Sequence, residues 1–170
     1  MKHYGDITKL SGWTLPIVDC ITGGSPCQDL SVAGKRAGLN GERSSLFMEQ
    51  IRIIREMRER DRKENGRSDQ FVRPRYCVWE NVPGAFSSNG GRDFQAVLTE
   101  FARIAEPDAP DVPMPDNGKW PHSGCIYQKM GGVEHCLESS RRAVLGSPPA
   151  KKTHLTCCRF WRSQRPGNIV

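Results

Sequence analysis

Apolar positions along the 170-residue chain fall into four periodic stretches separated by polar or Gly/Pro-rich runs. The first, Ile17-Val18-Asp19-Cys20-Ile21-Thr22, is a short β-rich run closed by Gly23-Gly24, which predicts a strand ending at Thr22 with a turn directly after it. In the second, Phe47, Ile51, Ile54 and Met57, with Met48 beside them, recur at three- and four-residue spacings. That is the stripe of an amphipathic helix packed on a sheet. Ser44 and Ser45 stand where a cap belongs, and Asn65-Gly66 supplies a stop. The signs alternate over residues 58–64, predicting a solvated, ion-paired helix end. The third stretch, Tyr76-Cys77-Val78-Trp79, predicts a second strand that Glu80 closes, with Trp79 in the core and a turn at Glu80-Asn81-Val82. After the loop at residues 87–91, Phe94, Val97, Leu98 and Phe101 form the apolar face of a second helix. Strand, helix, strand, helix in this order predicts an α/β fold. Residues 106–123 hold five prolines and read as an exposed extended connection. Gly124-Cys125-Ile126-Tyr127 suits the start of a further strand, and from Leu137 onward neither period is present.

Composition narrows the function classes. The length suffices for one domain with a real core. Seven cysteines and four histidines raise the question of a metal, yet no Cys-x-x-Cys pair exists, Cys157-Cys158 are adjacent, and Cys20 and Cys27 lie seven apart. No metal site is expected. An odd cysteine count and no secretory apolar segment predict a reducing, cytoplasmic setting, and no apolar run reaches membrane-spanning length. The net charge of +6 invites a nucleic-acid partner, but its distribution removes that argument. Residues 137–170 carry seven Lys/Arg against Glu138 alone, so the first 136 residues hold 18 basic and 18 acidic side chains. The excess basicity sits in the tail.

Candidate chemistry lies at the ends of the two strands. In Gly23-Gly24-Ser25-Pro26-Cys27-Gln28-Asp29-Leu30-Ser31 a thiol is presented just after a Gly-Gly turn and a proline, where open α/β sheets place ligands. As thiolate such a cysteine is a nucleophile. A strand, a turn and a cysteine alone are weak evidence, because most cysteines are small core residues. The second segment, Val78-Trp79-Glu80-Asn81-Val82-Pro83-Gly84, ends another strand in a carboxylate. Taken together, the two segments resemble the paired catalytic motifs of the DNA cytosine-5 methyltransferases.

The resemblance implies a partial Rossmann-like, S-adenosylmethionine-dependent methyltransferase sheet over residues 1–130, acting on double-stranded DNA with a flipped cytosine. Cys27 would add to carbon 6 of that cytosine. Glu80 would hold the ring-nitrogen edge and favour its protonation, making carbon 5 nucleophilic toward the methyl group. A cytosine ring carbon accepts a methyl group poorly until covalent addition breaks the aromaticity, and the base must leave the stack before either group reaches it. The same resemblance assigns Asp6 and Ile7, in Gly5-Asp6-Ile7, and Pro26 to the cofactor side. It assigns Gln28, Ser31 and Asn81 to the substrate side, Asn81 also shaping the turn. Residues 32–43, rich in Gly and basic residues, read as a mobile surface loop, and Lys35, Arg36 and Arg43 would meet phosphates if that loop closes over DNA. A solvated loop explains the same composition.

The family's Gly-rich cofactor turn and the acidic residue after its second strand have no counterpart here, which implies a truncated homologue, inactive alone, with Met1 internal to a longer frame. Residues 131–170 depart from the pattern. Synonymous codons chosen from Val133 to Thr156 and read one nucleotide on can spell W-S-I-A-W-R-V-L-D-A-Q-Y-W-G-L-P-Q-R-R-K-R-I, which resembles the family's next motif block. The expectation is a frameshift near Gly131 and a disordered basic tail of non-family sequence. A non-enzymatic DNA- or protein-binding fragment using that tail is the alternative. A thiol hydrolase is disfavoured, because none of His3, His122, His135 or His154 sits in a recognisable base motif. Bacterial or phage origin suits a modification enzyme.

Overall fold

The computed structural model describes residues 2–24, 45–67, 71–81, 83–121, 136–140 and 154–159, with side chains for residues 2–24, 46–67, 71–80 and 85–121. Its elements are strand β1 (Cys20–Gly24), helix α1 (Ser45–Asn65), strand β2 (Tyr76–Asn81), helix α2 (Arg92–Ala105) and strands β3 (Cys136–Ser140) and β4 (His154–Arg159). The predicted alternation of strands and helices is therefore present, and the fold is α/β. β1 and β2 pair in parallel, with α1 as their crossover. β4 pairs antiparallel with β2, and β3 antiparallel with β4, giving the sheet order β1-β2-β4-β3. β3 and β4 lie inside the segment whose sequence shows no strand period. A strand pairs through its backbone, so an available edge on β2 can take one without apolar alternation.

The core lies between one face of the sheet and the two helices. Phe47, Ile51, Ile54 and Met57 of α1 are buried as their spacing predicts, and so are Phe94, Val97, Leu98 and Phe101 of α2. Cys77 and Trp79 of β2 fill the space beneath them, both fully buried. Trp79 stacks on Phe94 at 6.1 Å and meets the edge of Phe47 at 6.3 Å. Alternation along β2 puts Cys77 and Trp79 on this face and Glu80 on the other.

Two expectations need correction. The segment after α2 is less exposed than its prolines suggest. Ala109 and Val112 are buried, Val112 N donates to Thr99 Oγ1 at 3.0 Å, and Trp120 packs edge-on against Phe94 while its Nε1 donates to Gly91 O at 2.8 Å. Prolines limit the backbone's shapes without preventing apolar side chains between them from docking.

The charged end of α1 is also only partly solvated. Arg60–Glu64 and Lys63–Glu59 are surface i,i+4 pairs, as alternating charge predicts. Arg58 and Asp61, by contrast, are buried. Arg58 Nη1 donates to Val72 O and Pro74 O, both at 2.7 Å, clamping the approach to β2 onto the helix. Asp61 accepts from Arg73 N at 2.8 Å, Arg73 Nη2 at 3.2 Å and Asn65 Nδ2 at 2.8 Å, and faces Arg67 at 3.5 Å. Burial pushes the Asp61 carboxyl up, but the hydrogen bonds and charge of Arg73, with Asn65, outweigh it and hold the carboxyl below its usual value.

A depressed carboxylate contributes stability that is full above the unfolded value of about 4 and is lost as pH falls through the folded value. Asp61→Asn is expected to cost about 2–3 kcal/mol at neutral pH. That is below the range for fully buried pairs, because Arg67 and Arg73 remain partly in water. The variant's acid-unfolding limb should also be shallower than the parent's. Asp19, lowered chiefly by the side-chain hydrogen bonds of Arg75, supplies part of the slope that remains. Urea titrations at several pH values check both; an unchanged acid limb would remove Asp61 from this role.

Candidate active site

Both candidate segments leave the sheet at one end because β1 and β2 run parallel. Their register pairs Cys20 with Tyr76 and, at the carboxyl end, Gly24 with Glu80. Cys27 follows Gly24 by three residues, so chain connectivity alone keeps its Cα within about 11 Å of Gly24. The start of the register is pinned by Asp19. Its carboxylate takes a two-pronged pair from Arg75, 2.7 Å at each oxygen, and its carbonyl accepts from Arg75 N at 2.9 Å and Tyr76 N at 3.1 Å. A one-residue slip would break these contacts and turn every side chain of β1 to the wrong face.

At the other end the two glycines allow close approach from both faces. A Cβ placed on Gly24 would lie 2.8 Å from Glu80 Oε2, closer than real Cβ contacts come, and 3.0 Å from Glu80 O, tighter than most of them. The exposed Glu80 carboxylate therefore lies over the backbone that leads to Cys27. A Cβ on Gly23, pointing to the other face, would fall 2.6 Å from Gln50 Oε1. Gln50 is buried on α1 and donates through Nε2 to Cys77 Sγ at 3.4 Å. The exit of β1 is thus bracketed by Glu80 on one face and Gln50 on the other. Gln50 was not among the predicted site residues. Its one sequence signal is its place three residues after Phe47, on the helix's apolar stripe.

Asp6 caps a short 3-10 turn, Ile7–Lys9, accepting from Thr8 N at 2.9 Å and Thr8 Oγ1 at 2.8 Å through Oδ1. The backbone hydrogen bond from Thr8, then that of its hydroxyl, lowers the carboxyl's pKa, so it stays ionised and able to accept. Arg52 holds this segment to α1, donating to Leu10 O at 2.8 Å and Ile7 O at 3.2 Å. Glu56 adds bonds from Gly12 N at 2.7 Å and Ser11 Oγ at 2.9 Å. Of the other predicted site residues, Pro26, Cys27, Gln28, Ser31, Lys35, Arg36 and Arg43 lie outside the described residues, as does the side chain of Asn81. Among the described residues no group of three His, Cys, Asp or Glu could hold a metal ion, and no helix is long and apolar enough to cross a membrane.

Comparison with known proteins gives the arrangement its family. Residues 1–105 match the family model of the C-5 cytosine-specific DNA methylases. A protein named DNA N-6-adenine-methyltransferase, from Escherichia phage P1, is 34% identical over 150 residues, covering 75% of this chain and 19% of its own length. The type II methyltransferase M1.ScrFI of Lactococcus lactis subsp. cremoris is 36% identical over 103 residues, 61% of this chain and 23% of its own. The DNA (cytosine-5-)-methyltransferase M.ApeKI of Aeropyrum pernix is 33% identical over 104 residues, 59% of this chain and 18% of its own. The chain spans about a fifth of the length of these relatives. One relative's name specifies the N6 of adenine, whereas the family model and the Aeropyrum relative specify carbon 5 of cytosine. Since the family model covers well over half of the 170 residues, and does so across both strands that flank the cysteine and the glutamate, the chain belongs to the C-5 cytosine-specific DNA methylase family.

Proposed function

We propose that this chain carries the nucleophile and the ring-binding carboxylate of methyl transfer to carbon 5 of cytosine in DNA, on a partial Rossmann-like sheet. The observation that supports this most is the parallel register of Gly24 with Glu80, which sets the strand bearing the cysteine beside the one bearing the glutamate. The Cys27 thiolate forms a bond to carbon 6 of a flipped-out cytosine, and the electron pair of the 5,6 double bond shifts toward the ring nitrogen. Glu80 hydrogen-bonds that edge and favours its protonation, so that carbon 5 becomes the nucleophile. Bound S-adenosylmethionine supplies the methyl group. Loss of the carbon-5 proton and expulsion of Cys27 then restore the aromatic ring.

An ionised, solvent-facing Asp6 suits the exocyclic amine of the cofactor's adenine, with Ile7 and Pro26 flanking it. Gln28, Ser31 and Asn81 act on the base, and Lys35, Arg36 and Arg43 on DNA phosphates. Residues 1–130 form the methyltransferase part in this proposal, and residues 131–170 a tail read in a shifted frame. In this proposal the chain, which spans about a fifth of its relatives' length, is an inactive homologue by itself and is of cytoplasmic, bacterial or phage origin. A DNA- or protein-binding role for the basic tail is less favoured, because the family match lies in residues 1–105.

The test is a chimaera in which residues 1–105 replace the matching segment of full-length M1.ScrFI. With S-adenosylmethionine and duplex DNA, nucleoside analysis is expected to find 5-methylcytosine as the product. N6-methyladenine, or no methylated base from a chimaera that binds DNA as its parent does, would overturn the proposal.

A further inference from the structure

The turn that carries Asp6 and Ile7 has no apolar anchor of its own. Among residues 2–12 only Gly12 is buried, and the turn at Ile7–Lys9 contains no buried residue. A segment so exposed is ordinarily among the least stable parts of a fold. Here polar bonds from two side chains of α1 hold it. Arg52 Nη2 donates to Leu10 O at 2.8 Å and to Ile7 O at 3.2 Å, and Leu10 N donates to the same Ile7 carbonyl at 3.2 Å. Both ends of the turn thus rest on one guanidinium. Its remaining nitrogens are fixed as well, Nε on Glu49 at 2.7 Å and Nη1 on Glu56 at 2.8 Å. Glu56, one helical turn on, accepts from Ser11 Oγ and Gly12 N. The backbone at Gly12 lies directly against the helix, since a Cβ there would stand 2.5 Å from Ile53 O and 2.8 Å from Met57 N.

Asp6 takes both of its bonds from Thr8 on Oδ1, which leaves Oδ2 to accept from a donor outside the turn. The direction of that oxygen follows from the backbone of residues 6–10, and Arg52 fixes this backbone at two carbonyls. Arg52 also comes two residues after Gln50, about 3 Å further along the helix axis. Gln50 packs on Gly23 at the exit of β1, so one level of α1 carries both the Asp6 turn and the strand that leads to Cys27. The residue type matters. A planar fork spans two carboxylates and two carbonyls at once, which the point charge of a lysine does not.

Resting on the proposal that Asp6 meets the exocyclic amine of the cofactor's adenine, we infer that Arg52 is the positioning residue of that contact, aiming Asp6 by strapping its turn to α1. The probes are S-adenosylhomocysteine and its inosine counterpart, in which a carbonyl replaces the exocyclic amine. Each is titrated by calorimetry into the chimaera described above. The parent is expected to favour the adenine form at least about tenfold, the size of one hydrogen bond to a charged group. In Arg52→Gln that preference should fall below about threefold, with affinity for the inosine form within about twofold of the parent's, because only the contact through Asp6 is lost. A residue with a general structural role would weaken both ligands together. Arg52→Lys keeps the charge beside Glu49 and Glu56 without the fork; it should lose the preference in the same way, and serves if Arg52→Gln does not fold. Arg60→Gln is the control and should keep the preference, since Arg60 Nη1 donates to Leu15 O at 2.9 Å, beyond the turn. In the 170-residue chain itself, trypsin should cut after the exposed Lys9 at least about fivefold faster in Arg52→Gln than in the parent. An unchanged cleavage rate at Lys9 overturns the inference. So does an unchanged preference in the Arg52 variants of a parent that favours the amine, and that result leaves the reading of Asp6 standing. A parent without the preference overturns both. Formation of 5-methylcytosine is measured separately and enters none of these outcomes.

Discussion

Cys27→Ser is expected to abolish the covalent complex that the chimaera forms with a duplex carrying 5-fluorocytosine, while Cys20→Ser leaves it intact. Fluorine at carbon 5 cannot leave as the proton does, so the adduct to carbon 6 persists after methyl transfer and survives denaturing electrophoresis. A serine hydroxyl sits far above neutrality in pKa and has no base assigned beside it here, so the attacking anion is lost. Turnover should fall by more than the ~10²–10⁴-fold that a general acid contributes, because the covalent route itself is gone. Cys20 is the internal control. It is exposed and lies at the start of β1, paired with Tyr76 at the far end of the register from Glu80. Cys77 is buried against Gln50 and should not react. Trapping that survives Cys27→Ser would move the nucleophile elsewhere.

Glu80→Gln should lower turnover by about 10²–10⁴-fold with little loss of DNA affinity. Glutamine keeps the shape and one hydrogen bond but cannot support a proton on the ring, so carbon 5 loses much of its nucleophilicity. The substitution is informative because Glu80 is exposed and sits at the end of β2, where an amide is easily accommodated. Its oxygen over Gly24 has nearly the same volume in either residue, so stability should barely change. Turnover within about twofold of the parent, outside the range for a general acid, would leave Glu80 a purely structural neighbour of Gly24.

Much of this was legible because periodicity and function coincide in the chain. The stripes Phe47-Ile51-Ile54-Met57 and Phe94-Val97-Leu98-Phe101 name two helices and the faces they bury. The Cys27 and Glu80 segments carry the resemblance to the family whose model matches residues 1–105. What the pattern could not say is which charged residues leave the solvent. Arg58 and Asp61 belong to a run of alternating charges whose neighbours Glu59, Lys63 and Glu64 stay at the surface. They are buried because the chain returning to β2 crosses that side of α1 and offers the carbonyls of Val72 and Pro74 and the amide of Arg73.

The sequence by itself determined the order of β1, α1, β2 and α2 and the apolar faces of the two helices, since these follow from local spacing, and it offered the thiol and the carboxylate only through the resemblance of their two segments to the family. Tertiary structure alone decided that Gly24 stands opposite Glu80, that Gln50 fills the space a side chain on Gly23 would need, and that Arg52 holds the turn of Asp6. The physical reason is the same in each case. Register and helix packing are set by contacts between residues distant in the chain, Asp19 with Arg75 or Arg55 with Glu100, and no local period encodes which distant partner will be met.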